Sequence, residues 1–458
     1  MLFVEAMKLR IVDTLSPEDA AMLQALYSRS AESVDVHIDK VIKVGSGKFM
    51  SQFYVGYGHK SIADCGTTTM FIEGVSLLAA KAIQDWPLYS GQETSTRYID
   101  MGKQAIIDPL GTPSSKVILD RWMNFYRENQ TRVVGIIRNR YPIREGEKVE
   151  TYDRAVKARA FDVLRGFLPA GITTQLSWHS NLRQAGDHLA GLVHHPADEI
   201  RAVARSLREL LGERYPSSGG GLSLASVSGV GERDAEANDR RLEWEKFTAK
   251  SLTYPNDCYW SQHLGDDRMV HSFGQRDLDL RYAATLASRP RGCVLPHFMT
   301  DLGQATFEFL LDFGSFRDLQ RHRNGVVRMP LLETAFGFEP WYLRQLDEER
   351  VLDLHAEASN LIAEQQDAID ALDATSVEKQ YYTALGFRVP CKVTMALPAL
   401  LYFLELRSSK TVHPTLRARV LEMAKRFTAT YPDVALHVDL DPDDWDVRRG
   451  NQTITERA

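Results

Sequence analysis

The sequence predicts an α+β fold, and three observations support this prediction. Apolar residues recur at three- and four-residue spacing through several long segments, as they do along the buried face of an amphipathic helix. Short apolar runs lie between these segments and are typical of β-strands. The third observation is an internal repeat of one strand–helix pattern, which predicts two diverged copies of a single unit.

The individual elements follow from the local pattern of apolar residues. Helical spacing is found in residues 116–138, 178–193, 198–211, 343–371 and 415–428. Strand-like runs are found in TTTMFIEG (67–74) and ALHVDLD (435–441). Both kinds of element are spread along the whole chain, so the class is mixed rather than all-helical.

The internal repeat is read from motifs in matching order. Residues 166–211 contain GFLP, a helical run and HHPADEIRAVARSLREL, and residues 386–430 contain GFRVP, a helical run and VHPTLRARVLEMAKRF. Upstream, TTTMFIEGVSLLAAKAIQDW is matched by QATFEFLLDFGSFRDLQRHR. We therefore expect one copy in residues 1–214 and a second in residues 242–458. Chance similarity between two α/β segments is the alternative that the pattern alone leaves open.

Residues 215–241 separate the two predicted copies. Glycine and serine concentrate in YPSSGGGLSLASVSG before a charged run, which predicts a linker or mobile loop. A glycine-rich phosphate-binding loop would need a strand before the glycines and Lys-Ser/Thr directly after them. Neither feature is present, so this segment is not predicted to bind phosphate.

Composition and charge limit the possible partners. The chain has 458 residues, of which 25% are charged, with a formal net charge of −6, so no general attraction to nucleic acid is expected. The N-terminal apolar run is interrupted by charges and lacks a cleavage site of small residues, and no apolar stretch reaches about 18 residues. We expect a cytoplasmic protein with no membrane segment.

No metal site is predicted. The four cysteines are Cys65, Cys258, Cys293 and Cys391. They are scattered, without a CxxC pair, and therefore favour neither a disulfide framework nor a zinc site. His194, His195 and His413 lie near prolines at helix starts, where capping is more common than metal binding. The acidic run 439–446 lacks the glycine and terminal glutamate of an EF-hand loop.

Two polar clusters follow the two strand–helix segments. SGQETSTRY (90–98) offers hydroxyls and Arg97, a set suited to binding a phosphate. RHRNGVVRMPLLE (321–333) begins with three adjacent basic residues, which need an anionic or hydrogen-bonding partner if they are buried. Taken alone, the basic triplet is typical of a solvated surface, and the serine-rich cluster of a capped loop.

Taken together, the two clusters resemble the signature of the flavin-dependent (alternative) thymidylate synthases, which runs RHR, then S, then S-x-R-Y, after a G-H-x-S/T segment. The first copy has YGHKSIADCG and the STRY end, with QDWP (84–87) in the place of RHR. The second copy has RHR, with Leu331 and Glu333 in the places of the serine and the arginine. The resemblance implies that each copy is a small antiparallel sheet with long helices.

The resemblance also implies one composite active site. The family builds each site between subunits of a homotetramer, so a tandem chain could supply both contributions and dimerise into a pseudo-tetramer. The opposite combination would place Glu333 against the phosphate, and its carboxylate would repel that group. Only one of the two sites in each chain is therefore expected to function.

By resemblance, the reaction is methylation of dUMP to dTMP with FAD as cofactor and with NADPH and methylenetetrahydrofolate as co-substrates. Arg97 and Arg407 are the implied catalytic residues. The implied substrate-binding residues are Glu93, Ser95, Thr96, Arg97, Arg165 and Arg407. The implied cofactor-binding residues are His59, Ser61, Asn181, Arg183, Arg321, His322 and Arg323.

Departures from the family pattern leave other functions open. Asp64 and Cys65 replace a glutamate–histidine pair, and Asp318 stands where the family often has a glutamine. One alternative is the same flavin chemistry on another pyrimidine nucleotide or with another one-carbon unit. The other alternative is a protein that binds FAD or a nucleotide without catalysis.

Overall fold

The structure is a computed structural model, and it describes residues 14–30, 32–50, 60–97, 99–217, 242–244, 246–247, 269–273, 280–347, 352–441 and 446–448. Contacts divide the chain into two compact units: residues 1–71, 88–92 and 177–252 form the first, and residues 72–87, 93–176 and 253–458 form the second. This division follows contacts, so the limits of the two tandem copies stay a prediction. Most of the predicted linker, residues 218–241, lies outside the described residues.

The α-helices are α1 (Pro17–Tyr27), α2 (Val34–Val44), α3 (Gly47–Phe49), α4 (Leu77–Gln84), α5 (Pro113–Glu128), α6 (Gln130–Arg140), α7 (Val149–Leu164), α8 (Leu182–Leu192), α9 (Asp198–Arg214), α10 (Leu280–Ala287), α11 (Phe313–Leu319), α12 (Pro340–Leu346), α13 (Leu352–Asp370), α14 (Ser376–Lys379), α15 (Leu397–Arg407) and α16 (Pro414–Thr430). Short 3-10 helices span Lys60–Cys65, Met101–Lys103, Arg165–Phe167, His297–Leu302 and Gln380–Tyr382. The strands are β1 (Thr67–Ser76), β2 (Thr173–Asn181), β3 (Val270–Phe273), β4 (Gln304–Asp312), β5 (Val326–Arg328) and β6 (Arg388–Ala396).

The α+β class is confirmed, and the helices at 198–211 and 415–428 are found as α9 and α16. The pattern over 116–138 corresponds to two helices, because the chain leaves helical geometry at Asn129, with φ −94° and ψ 0°. The first residues of the pattern over 178–193 belong to β2, which ends at Asn181. Asn181 then caps α8 by accepting a hydrogen bond from the backbone amide of Gln184, a preferred role for asparagine.

The strand prediction holds for 67–74, which lies in β1, and is wrong for 435–441. That segment has no regular secondary structure. Its backbone amides at Ala435 and His437 donate to the carbonyl of Leu286 and to the carboxylate of Glu405. These backbone donors are therefore bonded outside any sheet. The alternation of apolar residues instead reflects the packing of Leu436 and Val438 against the core.

An antiparallel sheet organises the second unit. Its strand order is β3-β4-β6-β5, and β4 pairs with β6 over nine residues, from Gln304 opposite Ala396 to Asp312 opposite Arg388. Alternate residues of β4 such as Phe307 and Phe309 are buried in the core, as expected for a strand with one covered face. A separate two-stranded sheet pairs β1 with β2.

The same backbone hydrogen bonds occur at corresponding places in the two predicted copies. The first amide of α4, at Leu77, donates to the carbonyl of Ile172 over 3.1 Å. The first amide of α11, at Phe313, donates to the carbonyl of Phe387 over 3.2 Å. In both places the helix follows a strand, and its first amide is bonded to the residue directly before a later long strand, β2 or β6.

Two segments that carry the GF motifs also pair with each other. The amide of Gly386 donates to the carbonyl of Gly166 over 2.8 Å, and the amide of Gly171 donates to that of Tyr381 over 2.9 Å. A Cβ atom at Gly171 would lie 2.7 Å from the carbonyl oxygen of Ile107 and 2.8 Å from that of Tyr381. Only glycine permits this close approach of three backbone segments.

The first unit has a smaller core. Met22 and Leu23 of α1 pack with Val41 of α2, while Trp178 of β2 is fully buried. The amide of Leu182 donates to the carbonyl of Gly66 over 2.9 Å, which fixes the start of α8 against the segment before β1. In neither unit do the described residues include a helix with the length and apolar character needed to cross a membrane.

Candidate active site

The predicted phosphate-binding loop, residues 93–97, lies in the second unit and begins at an isolated bridge. Glu93 pairs with Leu176 in an antiparallel bridge, and the amide of Thr94 donates to the carbonyl of Gln175 over 3.0 Å. The hydroxyl of Ser95 accepts from the amide of Arg97 over 3.2 Å. This local bond closes a tight turn of the kind that serine favours.

Glu93 and Thr96 contact the same guanidinium. Nη2 of Arg317 lies 2.5 Å from Oε1 of Glu93, and Nη1 donates to Oγ1 of Thr96 over 3.4 Å. The second oxygen of Glu93 accepts from Nε2 of Gln84 over 2.8 Å. Both predicted substrate ligands are therefore held by protein groups, and Arg317 comes from the second predicted copy.

Arg97 is held by a buried carboxylate on α7. Its Nε lies 2.5 Å from Oδ1 of Asp162, and its Nη1 donates to the carbonyl of Thr411 over 3.3 Å. Asp162 is completely buried and also accepts from Nη1 of Arg159 over 2.9 Å. One carboxylate therefore neutralises part of the charge of two guanidiniums and fixes the position of Arg97.

Arg165 is buried in a network supplied by the second predicted copy. Nη2 donates to Oγ of Ser315 over 2.8 Å, and Nε to the hydroxyl of Tyr342 over 3.4 Å. That hydroxyl donates to Asp312 over 2.9 Å. Burial alone would lower the pKa of Arg165, but Tyr342 and Asp312 raise it, so this guanidinium stays charged although only 1% of the residue is exposed.

His413 lies between Ser315, which accepts from Arg165, and Asp162, which holds Arg97. It caps α16, as predicted, by accepting from the amide of Thr415. Its Nδ1 also lies 3.3 Å from Oγ of Ser315, and its Nε2 lies 3.3 Å from the carbonyl oxygen of Asp162. Burial, together with the nearby charge of Arg165, lowers the pKa of His413 well below its ordinary value, so the imidazole is neutral.

Arg407 and His322 form a direct pair. Nε of Arg407 donates to Nε2 of His322 over 2.6 Å, and Nη2 donates to the backbone carbonyl of Asp318 over 3.0 Å. Burial and the charge of Arg407 lower the pKa of His322 to about 3. The ring is therefore neutral, and because Nε2 accepts, the proton resides on Nδ1. Phe403 packs against the ring at 4.8 Å.

Four of the predicted arginines act on the same carboxylate, that of Asp318. Burial would raise the pKa of Asp318, but the positive charges around it lower the pKa below its ordinary value. Those charges belong to Arg97, Arg165, Arg321 and Arg407. The side chain of Asp318 is 18% exposed and that of Arg321 is 41% exposed. Two arginines from each predicted copy thus lower the pKa of one carboxylate, and of these Arg321 lies 3.7 Å from it.

The remaining basic residue of the triplet, Arg323, contacts a segment of the first predicted copy. Its Nε donates to the backbone carbonyl of Gln84 over 3.4 Å. Gln84 is the first residue of the QDWP segment that replaces RHR in the first copy. The two corresponding segments of the repeat therefore meet each other.

The other predicted cofactor residues belong to the first unit. Arg183 donates from Nε to Asp64 over 2.7 Å and from Nη1 to Asp187 over 3.2 Å. The oxygen of the Asn181 side chain caps α8, and Ser61 is exposed. His59 lies outside the described residues, as does Tyr98 of the STRY motif.

The departure at Asp64 and Cys65 has a local consequence. The hydrogen bond from Arg183 to Asp64 raises the pKa of that guanidinium. Burial and the charge of Asp64 raise the pKa of the Cys65 thiol. Asp64 thus serves as the anion for Arg183, and Cys65 stays protonated at neutral pH.

The second copy carries a cavity at the degenerate end of its signature. The cavity has a volume of about 450 Å³ and is lined by Leu331 and Glu333 together with Asp370 and Lys379. Thr334 donates to Asp370 over 3.1 Å. Two carboxylates face one ammonium group here, which contrasts with the four arginines around Asp318.

Sequence reasoning missed several residues of the network. Asp162, Ser315 and Arg317 were not predicted, although the structure gives each a direct bond to a predicted site residue. A signal was present for Arg317, an arginine four residues before the basic triplet in the predicted strand–helix segment. No comparable signal marks Asp162, because its bond to the predicted site residue Arg97 spans 65 positions of the sequence.

Comparison with known proteins finds a family model that matches the first part of the chain. Residues 10–217 match the family described as thymidylate synthase complementing protein. A UPF0159 protein of Thermoplasma acidophilum is 24% identical over 90% of this chain and 93% of the relative. UPF0159 proteins of Chlamydia muridarum and Chlamydia pneumoniae are 26% and 24% identical, covering 82% and 89% of this chain and 77% and 83% of the relatives. These relatives are similar along most of the chain, which is consistent with a shared tandem form.

Proposed function

Because residues 10–217 match the family described as thymidylate synthase complementing protein, we propose that the chain is a flavin-dependent thymidylate synthase-like enzyme that methylates dUMP to dTMP. The observation that carries this proposal is the group of arginines around Asp318: Arg321 lies 3.7 Å from its carboxylate and Arg407 donates to its carbonyl over 3.0 Å, while the charges of Arg97 and Arg165 also lower its pKa. Such a concentration of positive charge suits a nucleotide monophosphate. The enzyme is proposed to act in the cytoplasm.

The proposal includes a tandem duplication with one working site per chain. The matching bonds of Leu77 and Phe313 support the duplication. The composite site takes the 93–97 loop and Arg165 from the first copy and Arg321, His322, Arg323 and Arg407 from the second. Glu333 and Asp370 disfavour a phosphate in the counterpart cavity. Two chains would form a homodimer that reproduces four copies.

The nucleotide residues have distinct proposed roles. Ser95, Arg97 and Arg165 bind the phosphate, with Glu93 and Thr96 in the same loop. Arg407 contacts the pyrimidine carbonyls and stabilises negative charge that develops on the ring. Its Nε and Nη2 are engaged, whereas Nη1 has no hydrogen bond to any described residue. That nitrogen is the donor available to a bound base.

The residues of the basic triplet fit a flavin. Arg321 is partly exposed, and His322 presents an N–H at Nδ1, so the set consists of donors. A flavin ring carries carbonyl oxygens and ring nitrogens that accept such bonds, and when bound it would supply hydride transfer. His59, Ser61, Asn181 and Arg183 are proposed to contact the same cofactor. NADPH as reductant and methylenetetrahydrofolate as carbon donor complete the proposal.

The test begins with FAD binding by the full-length chain. We expect a yellow protein after reconstitution, and release of tritium from C5-labelled dUMP when NADPH and methylenetetrahydrofolate are added. Arg97→Ala and Arg407→Ala should abolish this release. Arg121→Ala is the control, since within the described part of the chain Arg121 makes only a surface ion pair with Glu364, and such pairs contribute little.

The alternatives give different results in the same experiment. A yellow protein that reacts with another pyrimidine nucleotide and leaves dUMP unchanged would support the sister activity, for which Asp318 in place of glutamine is the specific observation. A protein that binds FAD or dUMP without any turnover would support a binding role. A chain that stays colourless with excess FAD would contradict both enzyme functions.

A further inference from the structure

One buried guanidinium bridges two residues of the predicted phosphate loop. Arg317, in α11, contacts Oε1 of Glu93 at 2.5 Å and Oγ1 of Thr96 at 3.4 Å. The two contacted residues are three positions apart, at the beginning and near the end of the 93–97 loop. A planar guanidinium can hold two such acceptors at once, because its donors project in a fixed fork.

Arg317 and Glu93 form a buried ion pair, so the loss of either charge is costly. The side chain of Arg317 is 8% exposed and that of Glu93 is 2% exposed. Removing one partner of a buried ion pair leaves the other charge uncompensated in a low-dielectric environment. With Gln84 on the second oxygen of Glu93, both carboxylate oxygens are held by the protein. The contacts of Glu93 therefore serve the loop itself.

The loop has few other fixed points. The amide of Thr94 is bonded to the carbonyl of Gln175, and Arg97 is held by Asp162. Between these anchors, the side chain of Thr96 hydrogen-bonds to no described residue except Arg317. Loss of Arg317 would free the middle of the loop while both ends stay attached.

We infer that Arg317 is a positioning residue that clamps the 93–97 loop through Glu93 and Thr96 and thereby sets the affinity of the site for a nucleotide phosphate. The phosphate part rests on the function proposed above. The clamp joins the two predicted copies, because the loop belongs to the first and α11, which leads into the basic triplet, belongs to the second.

Hydrogen exchange of the full-length chain tests the clamp without any substrate. In Arg317→Lys, one ammonium group cannot hold both acceptors, and we expect amides of residues 93–97 to exchange about tenfold faster or more, which corresponds to about 1.4 kcal/mol. The matched control is Lys392→Met, which removes one partner of the Lys392–Glu308 pair in the sheet, 2.6 Å apart. The control should leave exchange at 93–97 within about twofold of the wild type.

A second variant, in which both members of the Arg317–Glu93 pair are neutral, tests the clamp if an unpaired buried charge unfolds the single variant. Arg317→Met combined with Glu93→Gln removes both charges, so the stability cost of an unpaired carboxylate is avoided. The loop should still exchange faster, because the bond to Thr96 is lost. Unchanged exchange at 93–97 in both Arg317→Lys and the double variant would overturn the clamp.

Titration of FAD-loaded protein with dUMP tests the consequence for binding. Arg317→Lys should raise the Kd for dUMP about tenfold or more, while the Kd for FAD stays unchanged. A loosened loop with unaltered dUMP affinity would overturn the phosphate part of the inference. Failure of the wild type to bind dUMP would instead contradict the proposed function, and the exchange result would still decide the clamp.

Discussion

Protonation of His322 should make the stability of this protein depend on pH. The ring is 9% exposed, and burial together with Arg407 lowers its pKa from 6.5 to about 3. An unfolded chain binds a proton at His322 near pH 6.5, whereas the folded chain binds it only near pH 3. Unfolding therefore takes up a proton between these values, and the free energy of unfolding falls as the pH falls through this range.

The size of the effect follows from the two pKa values. Their difference corresponds to about 5 kcal/mol at 1.36 kcal/mol for each pH unit, of which about 2 kcal/mol is lost between pH 6.5 and pH 5. His322→Gln cannot be protonated, and its side-chain oxygen can accept the bond from Arg407. The variant should lose about 2 kcal/mol less than the wild type over that interval.

Urea unfolding at pH 7, 6 and 5 measures this difference. His413, whose pKa is also lowered, contributes with the same sign in both proteins, so the comparison isolates His322. Proton NMR of the His322 ring gives an independent reading, with no titration expected above pH 5. Equal slopes for the two proteins, or titration of this ring near pH 6.5, would refute the assignment of a buried neutral imidazole.

Three further predictions concern the network and the backbone. Asp162→Asn keeps the shape of the side chain but leaves two guanidiniums without their carboxylate. It should lower the free energy of unfolding, measured by urea denaturation, by about 3 to 5 kcal/mol. An unchanged free energy would show that Asp162 does not neutralise them. Gly171→Ala places a Cβ atom 2.7 and 2.8 Å from two backbone oxygens, and thermal unfolding should occur at lower temperature, whereas an unchanged midpoint would contradict the close packing there. Arg407→Lys cannot hold His322 and a base together, so tritium release should fall at least about tenfold, a factor worth about 1.4 kcal/mol, with FAD retained; full activity would remove Arg407 from the site.

The sequence predicted the elements whose pattern is local. The helices near α9 and α16 and the strand β1 follow from spacing along a single segment. The break at Asn129 was not predicted, since apolar spacing continues across it. The segment 435–441 was predicted as a strand, but its amides find acceptors at Leu286 and Glu405, which the local sequence cannot show.

The sequence by itself predicted the α+β class, the resemblance to the family that residues 10–217 match and, through that resemblance, the arginines of the candidate site, because these depend on residue types at short, fixed spacing. Only the tertiary structure decided that Asp318 is the carboxylate on which Arg97, Arg165, Arg321 and Arg407 act, and that Arg317 holds Glu93. Arg97 and Asp318, like Arg317 and Glu93, are more than 200 positions apart in the sequence. Their geometry depends on the packing of whole elements, and side-chain burial, which sets the charge of His322, exists only in the folded chain.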